Sequence, residues 1–422
     1  MKKLPVVIVT VFTLLQLLVL ALFGYTPYPD SEGYIYLARQ AISLGDIYPA
    51  RQLLNDYPFL WNQGPINAVI LTLRLFGSVT PLLIFYALMK GATAALLYSI
   101  TKTTVNEKVA LITLLLYVLY PANYGEATST LSELPFIFGC MTALWLALNK
   151  QYCLLAGVVL AVANWFRPMA AVFLVALLVY WLAGWRKTKG LAEWRKMLMT
   201  VIGYVMMIAV IGGASMSRTG LFLYQAKTGW MALMDYCSDH DPHSMAVRDR
   251  TDLNVSEKDA QWRSLFLQWL KDHPAEYVAQ MPRKIVDTYV SDNVNMCTFV
   301  PGKNEREYMY DEVSMTTLLH DFPRWSPVQW LTIVNLIFYY MLLLMAIGSL
   351  RYFKTKSHLL SCSIIVLGTL LLLFVGHGEA RFHIPFMPFI IIMAALFVSR
   401  QRDTIFSVGN ETPFSSTPTS AE

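Results

Sequence analysis

The sequence has 422 residues, of which 56% are hydrophobic and 14% charged, and its formal net charge is +5. Soluble domains carry about a quarter charged residues, so this composition excludes a soluble globular protein. Apolar runs of about 20 residues, the length that crosses a bilayer, recur along most of the chain. The small positive charge therefore bears on membrane topology and gives no indication of nucleic-acid binding.

The first apolar run, 4–23, predicts an uncleaved membrane helix. It follows Lys2 and Lys3 and is long for the core of a signal peptide. Ala21-Leu22-Phe23-Gly24 also lacks the small-x-small pattern of a cleavage site. Lys2 and Lys3 are expected to anchor the start of this helix on the cytoplasmic side.

Ten membrane spans are predicted in all: 4–23, 80–101, 107–121, 132–149, 152–167, 168–184, 197–216, 327–350, 358–376 and 382–399. On one side the short connections carry 15 basic residues: Lys2, Lys3, Lys102, Lys108, Lys150, Arg186, Lys187, Lys189, Arg195, Lys196, Arg351, Lys354, Lys356, Arg400 and Arg402. On the other side they carry 5: Arg39, Arg51, Arg74, Arg167 and Arg381. The positive-inside rule then places both termini in the cytoplasm.

The first large outer segment, 24–79, is expected to hold two interfacial helices. Residues 31–44 show a helical pattern, with Asp30 predicted as the N-cap. Residues 65–77 are apolar but short and contain Arg74, which favours an interfacial or re-entrant helix over a span.

The second large outer segment, 217–326, is expected to form a small helical cap, with helices over 257–270 and 274–289. Its run Asp239-His240-Asp241-Pro242-His243 fits either a local metal site or, more simply, a solvated loop. Whether Cys237 and Cys297 form a disulfide is open, because the sequence does not report their separation.

The predicted fold is thus an all-α polytopic membrane protein. It has a transmembrane module over 1–216, the cap over 217–326, C-terminal transmembrane helices over 327–400, and a disordered cytoplasmic tail over 401–422.

Acidic residues recur on the predicted outer face: Asp30, Glu32, Glu126, Glu133 and Glu379. A single Asp at a helix start is usually a cap. Several carboxylates close to hydrocarbon are costly and tend to be kept for a task, so their repetition favours a functional site.

Ionisable groups also cluster before the last span, in Gly376-His377-Gly378-Glu379-Ala380-Arg381. A guanidinium fixed there suits a phosphate, although Arg381 can equally end a helix and contact lipid headgroups. Arg167 has the same two interpretations.

His377 and His383 with an outward acid are able to bind a divalent metal, but no spacing is diagnostic. Lys90 lies within a span, where it either pairs with a buried partner or extends outward.

Several of these segments resemble GT-C glycosyltransferases, in particular bacterial relatives of the protein O-mannosyltransferases and the lipid A aminoarabinose transferase. The resemblance rests on Tyr28-Pro29-Asp30-Ser31-Glu32-Gly33-Tyr34, Gly64-Pro65-Ile66-Asn67, Ser132-Glu133-Leu134-Pro135-Phe136, Arg167-Pro168 and Glu379-Ala380-Arg381-Phe382, in that order. It covers roughly residues 1–220 and 327–400 by pattern and order.

The resemblance implies that Asp30 is the catalytic base and that Glu126 or Glu133 is the second outer acid. Arg381, with Arg167 as a weaker candidate, matches the groups that hold the donor phosphate, and His377 and Glu379 flank Arg381 in the same predicted site. Many relatives have Asp followed directly by Glu, whereas Ser31 separates Asp30 from Glu32 here.

The expected function is therefore transfer of a sugar, with inversion, from a polyprenyl-phosphate donor to a glycan, lipid or protein acceptor. It is expected outside the cytoplasm, in a bacterial inner membrane, with membrane lipids as partners and no nucleic acid. A transporter or flippase is the main alternative, followed by a glycan ligase or polymerase and a noncatalytic assembly subunit.

Overall fold

A computed structural model describes residues 3–408, apart from 239–241, 303–305, 354 and 377. Helices dominate this part of the chain, and no named strand occurs in the described ranges. The helices are α1 (Leu4–Phe23), α2 (Pro29–Ser43), α3 (Gln63–Phe76), α4 (Thr80–Thr104), α5 (Glu107–Leu119), α6 (Glu133–Trp145), α7 (Cys153–Phe166), α8 (Ala170–Thr188), α9 (Leu191–Thr219), α10 (Gly229–Ser238), α11 (Pro242–Arg248), α12 (Val255–Asp272), α13 (Pro274–Tyr289), α14 (Arg306–Glu312), α15 (Met315–His320), α16 (Pro327–Ser349), α17 (Lys356–Val375) and α18 (Met387–Val408).

Six helical segments among the described residues are long and apolar enough to cross a membrane. They are α1, α4, α9, α16 with its following turn, α17, and Ala380–Arg400. A seventh arises if α5 and the segment Pro121–Thr128, which meet at a 70° bend, count as one broken span. A helix lies at each of the ten predicted spans, but α5 to α8 are shorter or less apolar than this criterion requires. The structure therefore confirms an all-α membrane protein, and the number ten stays a prediction.

The last span lies at the centre of the bundle. In the most apolar part of Ala380–Arg400, 83% of the residues are buried, against 17% for α1. α18 packs against α5, α16 and α17, while α1 packs on α4 at the periphery. A helix that is apolar around its whole circumference is expected inside a large core or a membrane bundle. α1 thus presents most of its surface to lipid, and α18 presents most of its surface to protein.

Hydrogen bonds connect the first outer segment to the bundle and to the cap. Thr26 N–H donates to Thr128 O at 2.8 Å, which joins the segment after α1 to the turn before α6. The cap is tied to the first outer segment because the buried Lys258 Nζ donates to the carbonyl oxygens of Asn55 and Tyr57, each at 2.8 Å. The two large outer segments are therefore in direct contact.

The predicted outer helices are confirmed as α2, α3, α12 and α13. Helix α12 begins before the predicted residue 257 because Asn254 and Glu257 form a reciprocal capping box. The interpretation of Asp30 as an N-cap is wrong. Tyr28 is the N-cap residue of α2, Pro29 occupies the first turn, and no side chain caps this helix. Residues 401–408, predicted as part of the tail, instead continue α18 to Val408, since they contain no Gly or Pro, and the remaining tail residues 409–422 lie outside the described part.

Candidate functional site

Asp30 and Arg381 form an ion pair between the start of α2 and the segment that precedes α18. Asp30 Oδ2 lies 2.6 Å from Arg381 Nη2, although 351 positions separate the two residues in the sequence. The side chains are 24% and 18% exposed, so both can be reached from outside the protein. The sequence-predicted base and the sequence-predicted phosphate ligand therefore occupy one accessible place.

Two short elements bring this pair together. Asp30 lies in the first turn of α2, whose position is fixed by the buried Ser31, since Thr130 Oγ1 donates to Ser31 O at 3.2 Å. Arg381 lies in the 3₁₀ helix Ala380–Phe386, which precedes α18. A Cβ on Gly378 would lie 2.7 Å from Lys284 O. Only glycine therefore allows α13 of the cap to approach this turn so closely.

Glu379 is the second acidic partner of Arg381. Its Oε1 lies 2.7 Å from Arg381 Nε, whereas Asp30 lies against Nη2. The Glu379 contact is an ion pair without hydrogen-bond geometry at Nε, so the two carboxylates face different nitrogens of one guanidinium. With one positive and two negative groups, this part of the site carries a formal net charge of −1.

Glu133 and Arg167 form a second ion pair next to the first. Arg167 Nη1 lies 2.8 Å from Glu133 Oε1 and donates to Ser132 Oγ at 3.1 Å. The Glu133 side chain is only 2% exposed, whereas that of Arg167 is 10% exposed. Breaking such a buried pair leaves an uncompensated charge, so this pair has a clear structural role in fixing the start of α6 against the end of α7.

The ring of Phe382 joins the two ion pairs. Arg167 Cζ lies 5.0 Å from the ring centroid and Arg381 Cζ lies 5.9 Å from it. Both distances fall within the range of cation–π attraction. The two guanidinium groups thus share one aromatic platform, which sequence reasoning missed. Its only sequence signal is the adjacency of Arg381 and Phe382.

Tyr34 and Asn62 line the same region. Asn62 Nδ2 donates to Tyr34 Oη at 3.0 Å and contacts Ser132 Oγ at 3.5 Å. Burial raises the pKa of the Tyr34 phenol, and the negative charges of Asp30 and Glu133 raise it further. The phenol therefore stays neutral, and its electrostatic coupling to both acids indicates that they surround one small region.

Glu126, the other predicted outer acid, is not brought to the Asp30–Arg381 pair. It pairs with Lys90 inside the bundle, and both side chains are 5% exposed. The chain reaches this position because it bends after α5 through the short turns Pro121–Tyr124 and Glu126–Thr128. Of the two alternatives for Lys90, the buried partner is confirmed.

A small polar cavity adjoins the Lys90–Glu126 pair, with room for on the order of one water molecule. Asp292 also lines this cavity and accepts a short hydrogen bond from Tyr120 Oη. On its other side Asp292 Oδ1 lies 3.5 Å from His383 Nε2. Apart from Lys90, the sequence analysis placed the ionisable groups at the predicted outer face, and the interior positions of Glu126, Asp292 and His383 correct that interpretation.

His383, one of the histidines predicted as a possible metal ligand, belongs to this interior group. His383 is fully buried, and its Nδ1 lies 2.7 Å from Thr288 O, which can only accept a hydrogen bond. His377 and the run 239–241 lie outside the described residues. Within the described ranges no group of three or more His, Cys, Asp or Glu side chains is arranged to hold a metal ion.

Cys237 and Cys297 are both buried and are not joined by a disulfide in the structure, which answers the question left open by the sequence. Cys237 packs in the small apolar core of the cap, whereas Cys297 packs in the main core of the bundle, with its Sγ 3.5 Å from Met309 O.

The sequence matches no known protein-family model and no curated protein. Fold and composition therefore define the class by themselves: an all-α integral membrane protein with paired charges at one end and a buried charged group within. Those charged groups are the structural features that bear on the function of this particular protein.

Proposed function

We propose that the protein is a GT-C type glycosyltransferase that moves a sugar from a polyprenyl-phosphate donor to an acceptor hydroxyl. The observation that carries the proposal is the meeting of Asp30 and Arg381 at one accessible point. A carboxylate can serve as a general base and a guanidinium can bind a phosphate. Sugar transfer from a phosphate donor needs a base and a group that binds the phosphate, and the carboxylate and the guanidinium lie in contact here.

The proposed reaction is a single displacement. Asp30 accepts the proton of the acceptor hydroxyl while the acceptor oxygen bonds to the anomeric carbon of the sugar. The bond from that carbon to the phosphate oxygen breaks, and the electron pair leaves with the polyprenyl phosphate. Arg381 stabilises the negative charge that builds on the leaving phosphate. One displacement inverts the configuration at the anomeric carbon.

Arg167 and Glu133 support this chemistry from the second ion pair. Arg167 is the weaker candidate for the donor phosphate because Glu133 and Ser132 already occupy its Nη1. Glu133 is correspondingly placed to orient Arg167 and to add negative charge beside Asp30. Glu126 has no role in the proposed chemistry, since Lys90 neutralises it inside the bundle.

The membrane setting suits a lipid-linked donor. A polyprenyl tail stays in hydrocarbon while its phosphate and sugar reach the polar layer at the end of the bundle. With ten spans and the positive-inside rule, both termini are cytoplasmic and the site is extracytoplasmic. We further propose a bacterial inner membrane, with a glycan, lipid or protein as acceptor.

Incubation of the purified protein with radiolabelled polyprenyl-phosphate sugars tests the proposal. We expect release of free polyprenyl phosphate and transfer of label to an added membrane or envelope acceptor fraction. Donors that stay intact with every acceptor fraction, under conditions in which the protein is folded, would contradict a transferase.

Transport of a small polar or lipid-linked substrate is the second candidate, and one observation favours it. Ionisable residues inside a membrane bundle commonly mark a substrate or proton path, and Lys90, Glu126 and Asp292 line one interior cavity. In proteoliposomes a transporter or flippase moves the intact donor across the bilayer without cleaving it. The double variant Lys90→Met/Glu126→Leu would then abolish movement, whereas a transferase with this change keeps its donor cleavage.

A further inference from the structure

We infer that the donor phosphate and the Asp30 carboxylate compete for the same face of Arg381, so that donor binding itself releases Asp30 to act as the base. This inference rests on the proposed function and adds to it an order of events. Without donor, the Asp30 carboxylate is paired with Arg381.

The contacts of Arg381 assign different roles to its two acidic partners. Asp30 Oδ2 meets the terminal Nη2 at 2.6 Å, whereas Glu379 Oε1 meets the inner Nε at 2.7 Å. A phosphate that binds arginine in the usual two-pronged manner uses a pair of neighbouring donors. Glu379 can keep Nε and act as a positioning residue, while the terminal nitrogens are available to exchange one anion for another.

The dimensions of the reaction require this exchange. In a single displacement the base contacts the acceptor oxygen at about 3 Å, and that oxygen stands about 3 Å from the anomeric carbon. The leaving oxygen and its hydrogen bond to the guanidinium lie beyond that carbon. The sugar therefore separates base from guanidinium by several ångströms, which is incompatible with the 2.6 Å contact. The pair has to part before transfer.

The arginine side chain is the part expected to move. Asp30 lies on α2, which is held by the buried Ser31 and Tyr34. The side chain of Arg381 is long, and its tip contacts the two carboxylates and the face of the Phe382 ring. A turn of the guanidinium about its Glu379 contact moves the terminal nitrogens towards an incoming phosphate without any change in α2.

Competition between Asp30 and the phosphate for Arg381 predicts that loss of the acid strengthens phosphate binding. Removal of the Asp30 charge removes the competitor, so the Asp30→Asn and Asp30→Ala variants should bind a prenyl phosphate more tightly than the wild-type protein, although they cannot transfer sugar. We expect a three- to fivefold decrease in Kd, roughly the size of effect found for ion pairs with solvent access. Isothermal titration of the detergent-purified full chain with farnesyl phosphate measures it.

Asp46→Asn is the matched control. Asp46 also belongs to the first outer segment and pairs with an arginine, Arg218, at 3.1 Å, but it does not contact Arg381. This variant should leave the Kd for farnesyl phosphate unchanged. In Arg381→Ala the additional change Asp30→Asn should give no gain, because the group for which the anions compete is gone.

The outcomes separate the inference from the proposed function. If the wild-type protein cleaves a donor and binds farnesyl phosphate, but both Asp30 variants bind it equally or more weakly, the competition is refuted and the transferase stands. If the wild-type protein neither binds farnesyl phosphate nor cleaves a donor, both are refuted.

Discussion

Lys284 of the cap donates a hydrogen bond to the carbonyl oxygen of Gly376, at 3.1 Å, in the turn that leads to Arg381. The same ammonium donates to Leu373 O at 3.1 Å, at the end of α17. Lys284 is 1% exposed, and burial lowers the pKa of its ammonium. It therefore completes the end of one membrane helix and fixes the start of the next segment.

Replacement of Lys284 by Met should destabilise the protein and weaken the site together. The partly buried Gly376 O loses its Lys284 donor, and Leu373 O keeps only the donor Tyr277 Oη. An unsatisfied buried group costs about 1–3 kcal/mol, and a partly buried one costs less. We expect a lower thermal midpoint in detergent and weaker binding of prenyl phosphate. Lys271→Met, a change at an exposed position of α12, is the control and should alter neither. Equal midpoints for Lys284→Met and the wild-type protein would show that the contact is dispensable.

Asp30→Asn should abolish sugar transfer, with a loss of at least about 10²-fold if Asp30 is the general base. The protein should stay folded, because ion pairs with solvent access contribute only up to about 1 kcal/mol. Initial rates of donor cleavage, set beside the thermal midpoint, measure the two effects. Full activity in a folded Asp30→Asn protein would rule out the base assignment.

Arg381→Lys and Arg381→Ala should differ from each other. Lysine keeps the charge but cannot bind a phosphate with two parallel hydrogen bonds as the planar guanidinium does, so we expect partial loss of prenyl-phosphate binding. Alanine removes charge-assisted hydrogen bonds and should weaken binding about ten- to a hundredfold. Titration with farnesyl phosphate gives both values, and unchanged Kd in Arg381→Ala would reject the phosphate role.

The Glu133–Arg167 pair should show a stability effect that the Asp30–Arg381 pair lacks. Arg167→Met leaves Glu133 charged and buried, which should cost about 3–5 kcal/mol. The double variant Arg167→Met/Glu133→Leu removes both charges and should recover most of this loss. Unfolding in detergent compares the two. If the double variant is no more stable than Arg167→Met, the buried charge is not the cause.

Acid should affect the first outer segment through Asp46. Burial raises the pKa of this carboxyl, but the N–H groups of Ile47 and Arg51 and the charge of Arg218 outweigh it, and the net pKa is lowered. A carboxyl whose folded pKa is lowered stabilises the fold above its unfolded pKa, about 3.9, and loses that contribution as the pH falls through the folded value. The difference in thermal midpoint between the wild-type protein and Asp46→Asn should therefore shrink below about pH 4. A constant difference would exclude this linkage.

The sequence predicts more of the helices than of their contacts. Apolar length and periodicity located a helix at each proposed span and also α13, whose bounds Pro274–Tyr289 agree with the prediction. Such signals are local, because they depend on neighbouring residues in one helix. They leave open which of the short helices cross the membrane.

For the site, too, the sequence predicts which residues belong to it better than it predicts their partners. The resemblance to GT-C glycosyltransferases implied that Asp30 and Arg381 belong to one site, and the two residues lie in contact. The partnership of Lys90 with Glu126 was not predicted, since it depends on the bend after α5 that turns an apparent outer loop into the bundle. Side-chain partners across a bundle are set by the angles and depths at which helices pack, and a single sequence contains no direct measure of either.

The burial of the last span determines when the protein can acquire its site during synthesis. The ribosome adds Arg381 351 positions after Asp30, and the segment Ala380–Arg400, the most deeply enclosed of the six, is made together with it. A nascent chain that stops before residue 380 therefore lacks both the guanidinium partner of Asp30 and the central helix of the bundle.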